Sequence, residues 1–551
     1  MPIACRFKTL RQALAAAATA SGPATVTATG ASAAGTMTFA HEVAGASPTP
    51  LTVPANVTLT TDGIGTYVIA LDDDGGASPA QPTLAALMKM QTGATLSHFQ
   101  ITESNAASLS TMLSVGDAAG TTTIDTVQMS ASVYDALRVI NGTLVASTLD
   151  VHDNTGAGIV IEPTAGGLTL TASAVAGNYN GLVVQGGTTS VSGSTFDGNH
   201  NGIALAAGEL TVNAGVIIEN GSVGIYASVD FDASLSSLAS TLRTLHVLGT
   251  ALAPVVLLHN TFAGIIAGGY NSHLDGIAGA TAVNPSGDDP VELDATHLQV
   301  SRATADTSGP LGSFGLVIWN GTIYDGTTSP PAHHAFVSAS SFSGYGSDIQ
   351  VGRSYATGAI PHPTVLTDCS CDHGNTALSL APSQNQTQES YDVKVNGATT
   401  LSSALAGLRY LATYPAQIAV SIDGADIVSN TNGIVLADVP PATFQLRNTK
   451  VHSSSGDQVS ITRGLQPTSA HWVLSGGACG ASSNSIYCDA PGFYAVKVAN
   501  TDVTVDAVGI AWDNADPGAA IFTTGNSVVT TGYSATPASN QACGAFSGTC
   551  P

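Results

Sequence analysis

The chain contains 551 residues with a formal net charge of −24, and only 9% of its residues are charged while 60 are glycine. The negative charge repels phosphate groups, which disfavours nucleic acid and anionic membranes as partners. A compact fold of this length would divide into several domains, whereas a solenoid grows in one direction without that limit. The composition therefore favours one long repetitive domain with a surface of Thr, Ser, Asn and Gly.

The mean hydropathy of +0.24 is positive, so a membrane span has to be considered. The longest apolar run, at 247–258, is interrupted by Pro254 and ends before His259. A membrane-spanning helix needs about 20 consecutive apolar residues. We therefore predict no transmembrane segment.

The N-terminal segment predicts a capping element. Leu10, Leu14 and Ala17 share one helical face, which indicates a short amphipathic helix. A helix before the first coil covers the open end of the core that a solenoid would otherwise expose. We assign residues 1–63 to this helix and the first strands, and residues 64–551 to a parallel β-helix.

Three segments near the N-terminus carry a family resemblance. The motif F-K-T-L-x-x-A-L, then PLTVPANVTLTTDG and then GATLSHFQIT resemble the N-terminal module of uncharacterised bacterial surface β-helix proteins. In that family a segment rich in Gly, Ser, Asp and Asn precedes the first motif, whereas here the sequence MPIAC stands before it. These residues contain no signal peptide, so either one has been removed or the chain is cytoplasmic.

Residues 136–228 repeat one pattern five times. Successive repeats are 22, 23, 21 and 22 residues apart and start at Ala136, Gly158, Gly181, Gly202 and Gly224. An asparagine precedes four of these starts: Asn154, Asn178, Asn199 and Asn220. Each repeat also contains two further short apolar runs, which predicts three strands in a coil of about 22 residues.

Stacking of such coils gives the predicted fold, an all-β, right-handed parallel β-helix. Strands of adjacent coils pair at ~4.8 Å, and their inward side chains form a continuous core. The asparagines fit one turn in which each side-chain amide bonds the next, and the glycines are expected to give backbone freedom at a tight corner. These features resemble right-handed parallel β-helices of the pectate-lyase-like architecture, which carries many unrelated functions.

The repeat loosens after residue 228. Irregular spacing predicts loop insertions, notably at 229–258 and at 275–363, and the second of these is rich in Pro, Ser, Gly and His. Further coils are predicted in six segments: 314–321, 375–382, 430–438, 456–464, 493–500 and 519–526.

Seven cysteines bear on the cellular compartment. Two local pairs lie in loop-rich sequence: Cys479 with Cys488, and Cys543 with Cys550. Such pairs predict disulfide bonds, and disulfide bonds predict export to an extracellular or cell-surface location. Cys5 is left over, and we expect its partner to have been lost with an upstream segment.

Corner residues of successive coils form the candidate catalytic site. They are His152, Asp153, Asp197, His200 and Glu219. Stacking would place neighbours about 5 Å and next neighbours about 10 Å apart, which covers the carboxyl separations of glycosidases. A solvated corner of the coil is the alternative interpretation.

Two acidic clusters are candidates for Ca²⁺, which binds carboxylates together with backbone carbonyls. They comprise Asp72, Asp73 and Asp74, and Asp288 and Asp289 with Glu292 and Asp294. Neither cluster matches a known calcium-loop motif, so solvated loop charges are the alternative. Zinc is considered for Cys369, Cys371 and His373, but no second pair at metal spacing follows and export favours oxidised thiols. The sequence thus predicts no cofactor, with calcium as the alternative.

Catalytic motifs known on this architecture are missing. The 14 Lys and Arg residues do not occur in a recognisable lyase context, and no polygalacturonase-like motif set is found. The sequence therefore favours an exported, non-catalytic surface or appendage protein of structural or adhesion type, with polysaccharides or other surface proteins as partners. The alternative is a polysaccharide lyase or glycoside hydrolase on the same scaffold.

Threonine pairs two residues apart suggest one further activity. The pairs Thr25/Thr27 and Thr169/Thr171 are typical of ice-binding faces. Such a face needs pairs that repeat in register along the coil axis. No regular recurrence is visible in the sequence, so ice binding is not predicted.

Overall fold

The structure is a computed structural model. It describes residues 7, 9–29, 35–38, 50–63, 67–71, 86–103, 111–228, 232–238, 241–268, 291–302, 312–318, 335–352, 362–380, 390–412, 417–438, 443–453, 455–462, 470–474, 484–487, 493–499, 503–507, 510–512, 521–524 and 527–530. The chain divides into two compact units. The first comprises Met1–Tyr226, Arg243–His246 and Ala253–Val256, and the second comprises Ala227–Leu242, Val247–Leu252 and Leu257–Pro551.

In the first unit, each coil contributes one strand to each of three parallel faces. Face 1 contains Ala24–Ala28, Val57–Thr61, Thr95–Ser97, Thr121–Asp125, Gly142–Ser147, Ala165–Thr171, Thr188–Ser192 and Gly208–Asn213. Face 2 contains Gly35–Thr38, Tyr67–Leu71, Phe99–Glu103, Gln128–Ser130, Asp150–His152, Ala174–Ala176, Thr195–Asp197 and Ile217–Glu219. Face 3 contains Leu51–Val53, Met88–Met90, Thr111–Val115, Asp135–Val139, Ala157–Ile161, Asn180–Val184, Asn201–Leu205 and Val223–Ala227.

The second unit repeats this plan. Its face 1 contains Val291–Thr296, Ala335–Ser338, His362–Thr367, Ser390–Asn396, Gln417–Asp423 and Thr443–Arg447, and a three-stranded sheet contains Ala470–Val473, Val503–Asp506 and Val528–Thr530. Face 2 contains Leu298–Ser301, Ser341–Ser343, Asp426–Ser429, Lys450–Ser453, Asn484–Tyr487 and Ile510–Trp512. Face 3 contains Ala263–Ala267, Phe314–Ile318, Ser347–Val351, Asn432–Asp438, Val459–Thr462, Val496–Val498 and Ile521–Thr523.

Five elements depart from this plan. Two long strands, Ser370–Leu380 and Thr400–Ala412, pair with both face 2 and face 3, so these two faces merge there. The strands Arg243–Leu248 and Val255–Leu258 contribute residues to both units. A short 3-10 helix spans Ala233–Leu238 in the second unit.

The predicted all-β parallel β-helix is confirmed by these stacked parallel ladders. Parallel crossovers are right-handed in nearly all proteins, which gives the expected hand of the coil. All six predicted later coils contain strands of face 3 or, at 375–382, the merged strand Ser370–Leu380. The described parts of 229–258 and 275–363 also contain strands, so these regions are not continuous insertions.

The repeat register agrees with the spacing read from the sequence. Leu137, Ile159, Leu182 and Ile203 pair in successive coils and are fully buried. Equivalent inward rows fill the other two faces, with Ile124, Ala146, Leu170 and Val191 on face 1 and Val151, Val175 and Phe196 on face 2. The core is therefore continuous from coil to coil, because these three inward rows are apolar.

The N-terminal helix covers the first coil of the first unit. It spans Leu10–Ala18, and Thr9 caps it by accepting a hydrogen bond from the backbone amide of Gln12. Leu10 and Leu14 are buried, and the helix contacts the strands Ala24–Ala28 and Leu51–Val53. Residues at the open end of the core are thus shielded as the apolar helical face predicts.

The corners between faces 1 and 2 depend on left-handed backbone at residues other than glycine. Thr126, Thr148 and Ala172 have φ of 54°, 53° and 47° in successive coils, and Gly193 continues the row at 52°. A left-handed conformation costs an L-residue about 1–2 kcal/mol, so neighbouring contacts have to hold it.

Hydroxyl groups provide those contacts immediately after the left-handed residue. Ser173 Oγ donates to the Thr171 carbonyl and accepts from the Leu149 amide, and Ser194 Oγ does the same with Ser192 and Ser173, all at 2.8–3.1 Å. Ser340, Thr399 and Thr449 donate similarly in the second unit. This hydroxyl ladder is not predicted from the sequence.

The expectation that the repeat glycines give backbone freedom at a tight corner is wrong. Gly158, Gly181 and Gly202 have no left-handed φ. Glycine is needed at Gly181 because an added Cβ would lie 2.5 Å from the Gly202 carbonyl oxygen and 3.1 Å from Asn199 Nδ2. Glycine is therefore required because there is no room for a side chain beside the asparagine row, and not because the backbone needs a left-handed conformation.

One threonine pair recurs in register, contrary to the expectation, whereas Thr169 and Thr171 lie between Val145 with Ser147 and Ser190 with Ser192. Thr25 and Thr27 pair with Thr58 and Thr60 in the next coil of face 1. Loops of different length separate the pairs along the sequence, which hides the common register.

Candidate functional site

The turn from face 2 to face 3 in the first unit contains the predicted asparagines. Asn154 Nδ2 donates to Asn178 Oδ1 at 2.8 Å, Asn178 Nδ2 donates to Asn199 Oδ1 at 2.9 Å, and Asn199 Nδ2 donates to Asn220 Oδ1 at 2.9 Å. The backbone amides of Asn154, Asn178 and Asn199 donate to the same oxygens. All four asparagines are buried, so the amides fix the turn from within.

The predicted catalytic residues lie on the outer side of this turn. His152, Ala176, Asp197 and Glu219 occupy one row in successive coils of face 2. Asp197 and Glu219 are direct neighbours at the ~4.8 Å strand spacing, and His152 is two coils from Asp197, or about 10 Å. The structure thus brings Asp197 and Glu219 together and separates His152 from them.

His152 belongs to a polar network of its own. Its Nδ1 lies 2.9 Å from Asp153 Oδ2, and its Nε2 lies 2.7 Å from the Gln128 amide nitrogen. These contacts fit an arrangement in which Nδ1 donates to Asp153 and Nε2 accepts from the Gln128 amide. The Asp153 side chain is 77% exposed, and its backbone is left-handed with φ of 57°. This network holds His152 against its own turn and against Gln128 of the preceding coil.

An exposed aromatic pair, which sequence analysis missed, lies on the same turn. Tyr179 stacks on His200 with ring centroids 5.0 Å apart and planes 18° apart, and Tyr179 is 53% exposed. Tyr134, at the same turn of an earlier coil, is 48% exposed. The signal in the sequence is the residue after each asparagine in Asn178-Tyr179 and Asn199-His200. We call Tyr134, Asp153, Tyr179, Asp197 and His200 the corner strip.

The Cys-x-Cys motif lies in the second unit and does not converge with its histidine. Cys371 is fully buried in the coil, and Cys369 Sγ donates to the carbonyl of Thr367 at 3.5 Å in the position of the hydroxyl ladder. Burial raises the pKa of the Cys369 thiol to about 11. His373 is exposed and lies 2.8 Å from the carboxylate of Asp372. The thiols and the imidazole therefore occupy different environments.

A buried carboxyl group lies next to this motif. Asp348 is fully buried and accepts a hydrogen bond from the Tyr345 amide at 3.3 Å. Burial holds the pKa of Asp348 well above its ordinary value, and the nearby charge of Asp372 adds to this effect. Gly374 leaves room for it, because a Cβ there would lie 2.7 Å from Asp348 Oδ2. Burial in the core therefore favours the neutral form of the Asp348 carboxyl.

Several predicted residues lie outside the described part of the chain. These are the calcium candidates Asp72, Asp73, Asp74, Asp288 and Asp289, the leftover Cys5, and the disulfide candidates Cys479, Cys488, Cys543 and Cys550. Glu292 and Asp294 point outward from the strand Val291–Thr296. Among the described residues, no three His, Cys, Asp or Glu side chains are placed to hold a metal ion.

No helix in the described ranges is long and apolar enough to cross a membrane. In comparisons with known proteins, no family model matches the chain and no curated protein matches it. Function therefore has to be argued from the residues of the corner strip and of the coil surface.

Proposed function

We propose that this chain is an exported, non-catalytic protein of the bacterial cell surface or of a surface appendage, with a structural and adhesion role. The proposal agrees with the resemblance of its N-terminal motifs to bacterial surface β-helix proteins and of its coils to the pectate-lyase-like architecture. Paired cysteines in loop-rich sequence favour the oxidising compartment that export provides.

The observation that carries the adhesion role is the exposed stack of Tyr179 on His200. An exposed aromatic face attracts the partly positive C–H groups of a sugar ring, because the π-system is negative at its face. Asp153 lies one coil before Tyr179, and Asp197 lies three residues before His200, so both bring carboxylates to this turn that can accept hydrogen bonds from sugar hydroxyls. The ligand class is a neutral polysaccharide, since a chain with a net charge of −24 repels uronates and sulfated glycans.

Binding to immobilised neutral glycans tests this proposal. We expect Tyr179→Ala to lose binding while Phe336→Ala, an exposed aromatic residue on face 1 of the second unit, retains it. Equal binding by both variants, or no binding by the unmodified protein to any neutral glycan, would contradict the adhesion role.

A carbohydrate-active enzyme is the second candidate, and one observation favours it. Asp197 and Glu219 pair directly across adjacent coils, and this ~4.8 Å spacing is close to the ~5–5.5 Å between the carboxyl groups of retaining glycosidases. Such a pair needs one carboxyl with a raised pKa, which burial usually supplies, whereas Asp197 is exposed. New reducing ends or unsaturated products that Asp197→Ala abolishes would establish the enzyme.

A further inference from the structure

Face 1 of the first unit carries two outward rows of short side chains. The first row contains Thr25, Thr58, Thr95, Thr123, Val145, Thr169, Ser190 and Thr211. The second row contains Thr27, Thr60, Ser97, Asp125, Ser147, Thr171 and Ser192. We call these residues the hydroxyl face. All of them are Thr or Ser except Val145 and Asp125, so the face is almost without charge.

The preference of Thr for strands does not by itself produce this surface. The corresponding outward row on face 1 of the second unit contains Asp294, Phe336, Val365, Lys394, Ser421 and Gln445. That row has the same strand geometry, yet it mixes charged, aromatic and aliphatic side chains. The hydroxyl face is thus a property of the first unit.

The backbone holds these hydroxyls in a regular array. Equivalent residues of adjacent coils are ~4.8 Å apart, residues two apart in one strand are ~6.7 Å apart, and the first row runs for about 34 Å. Contacts within the array restrain individual groups, since Ser97 Oγ donates to Thr60 Oγ1 at 2.8 Å and Ser147 Oγ donates to Asp125 Oδ1 at 2.6 Å. β-Branching further restricts the threonine side chains.

This array approximates the spacing of frozen water. Tetrahedral O–H···O bonds of about 2.75 Å place second-neighbour oxygens of ice ~4.5 Å apart and give a repeat of ~7.3 Å along the hexagonal axis. The array differs from these two values by about 0.3 Å and about 0.6 Å. Ser97, which is buried, and Ser147 use their donors within the array, whereas an exposed hydroxyl without such a contact can offer one donor and two acceptors to a lattice. The methyl groups of Thr and Val145 border ordered water.

We propose that the hydroxyl face binds the surface of ice. Fourteen of the fifteen side chains of the hydroxyl face are uncharged, and the one carboxylate, Asp125, accepts a hydrogen bond from Ser147. A nearly uncharged surface suits an uncharged lattice, because a charged group orders water around itself in a different arrangement. The difference of about 0.3 Å per coil between the hydroxyl spacing and the oxygen spacing of ice accumulates to about 2 Å over seven coils. The hydroxyl positions therefore match ice oxygens only within blocks of three or four coils. Inhibition of ice recrystallisation is therefore expected to exceed depression of the freezing point.

An ice-recrystallisation assay on the full chain tests this proposal. We expect the unmodified protein to keep ice grains small, and Thr169→Lys or Val145→Lys to lose the effect because each puts a charged side chain on the array. The matched control is Thr195→Lys, an exposed strand residue on face 2. Circular dichroism melts of all variants show whether the coil remains folded.

Three outcomes overturn the proposal. The first is an unmodified protein that has no more effect on grain size than an inert acidic protein of equal charge. The second is equal loss in the Thr169→Lys and Thr195→Lys variants when both are folded. The third is binding to a crystalline neutral polysaccharide that depends on Thr169 without any effect on ice, which would assign the hydroxyl face to that ligand instead.

Discussion

Replacement of Asn199 by alanine tests whether the buried asparagine row holds the coils together. The Asn199 side chain takes part in four hydrogen bonds: Oδ1 accepts from the Asn178 amide and from Asn178 Nδ2, and Nδ2 donates to the Val175 carbonyl and to Asn220 Oδ1, all at 2.9 Å. At about 1 kcal/mol for each bond, Asn199→Ala should cost about 4 kcal/mol of unfolding free energy, because the partners stay buried.

The matched control is Asn154→Ala at the first position of the same row. Its side chain makes two hydrogen bonds, accepting from the Ser132 amide and donating to Asn178 Oδ1, so the expected cost is about 2 kcal/mol. Urea unfolding gives both free energies, and hydrogen exchange locates the loosened coils. Equal losses for the two variants would show that the row does not act through its hydrogen bonds.

Three further expectations concern the corners and the buried groups. Ala172 has a left-handed φ of 47°, so Ala172→Gly should raise the unfolding free energy by up to about 1 kcal/mol in urea titrations. The control Ala176→Gly, within a strand, should lower it. A change of the same sign in both variants would refute the role of backbone strain. The pKa of Asp348 is raised in the folded state, so the unfolding free energy should fall as the pH rises from about 4 until the folded-state pKa is passed. The slope should be at most about 1.4 kcal/mol per pH unit. The same slope in Asp348→Asn would refute this expectation. Burial should leave Cys369 and Cys371 unreactive toward thiol reagents until the protein unfolds, and rapid native labelling would contradict their placement.

The regular coils were predictable because each repeat marks its corner with the same residues. Asn178 and Asn199 precede glycines at nearly constant spacing, and a side chain that bonds its own copy in the next coil has to recur in that way. Apolar rows such as the one containing Ile159 follow from the same spacing. The register could therefore be read directly from residues 136–228.

Features that do not depend on one residue type were missed. The hydroxyl ladder uses Ser173 and Ser194 in one unit and Thr399 in the other. Ser and Thr also occupy most outward positions on face 1 of the first unit, so sequence alone does not separate the two roles there. The recurrence of Thr25 and Thr27 as Thr58 and Thr60 was missed because loops outside the faces change the length of each coil. Stacking of Tyr179 on His200 depends on a shared turn, which only the register of adjacent coils reveals.

The parallel ladders also have a mechanical consequence. Each coil of about 22 residues adds only ~4.8 Å along the axis of its unit, although its chain is ~75 Å long when extended. A coil that detaches under tension would thus release about 70 Å of chain. Backbone hydrogen bonds on three faces and the asparagine hydrogen bonds together resist the separation of two adjacent coils under tension. Extension would therefore proceed one coil at a time. A β-helix under tension would thus absorb work in many small steps before it is fully unfolded.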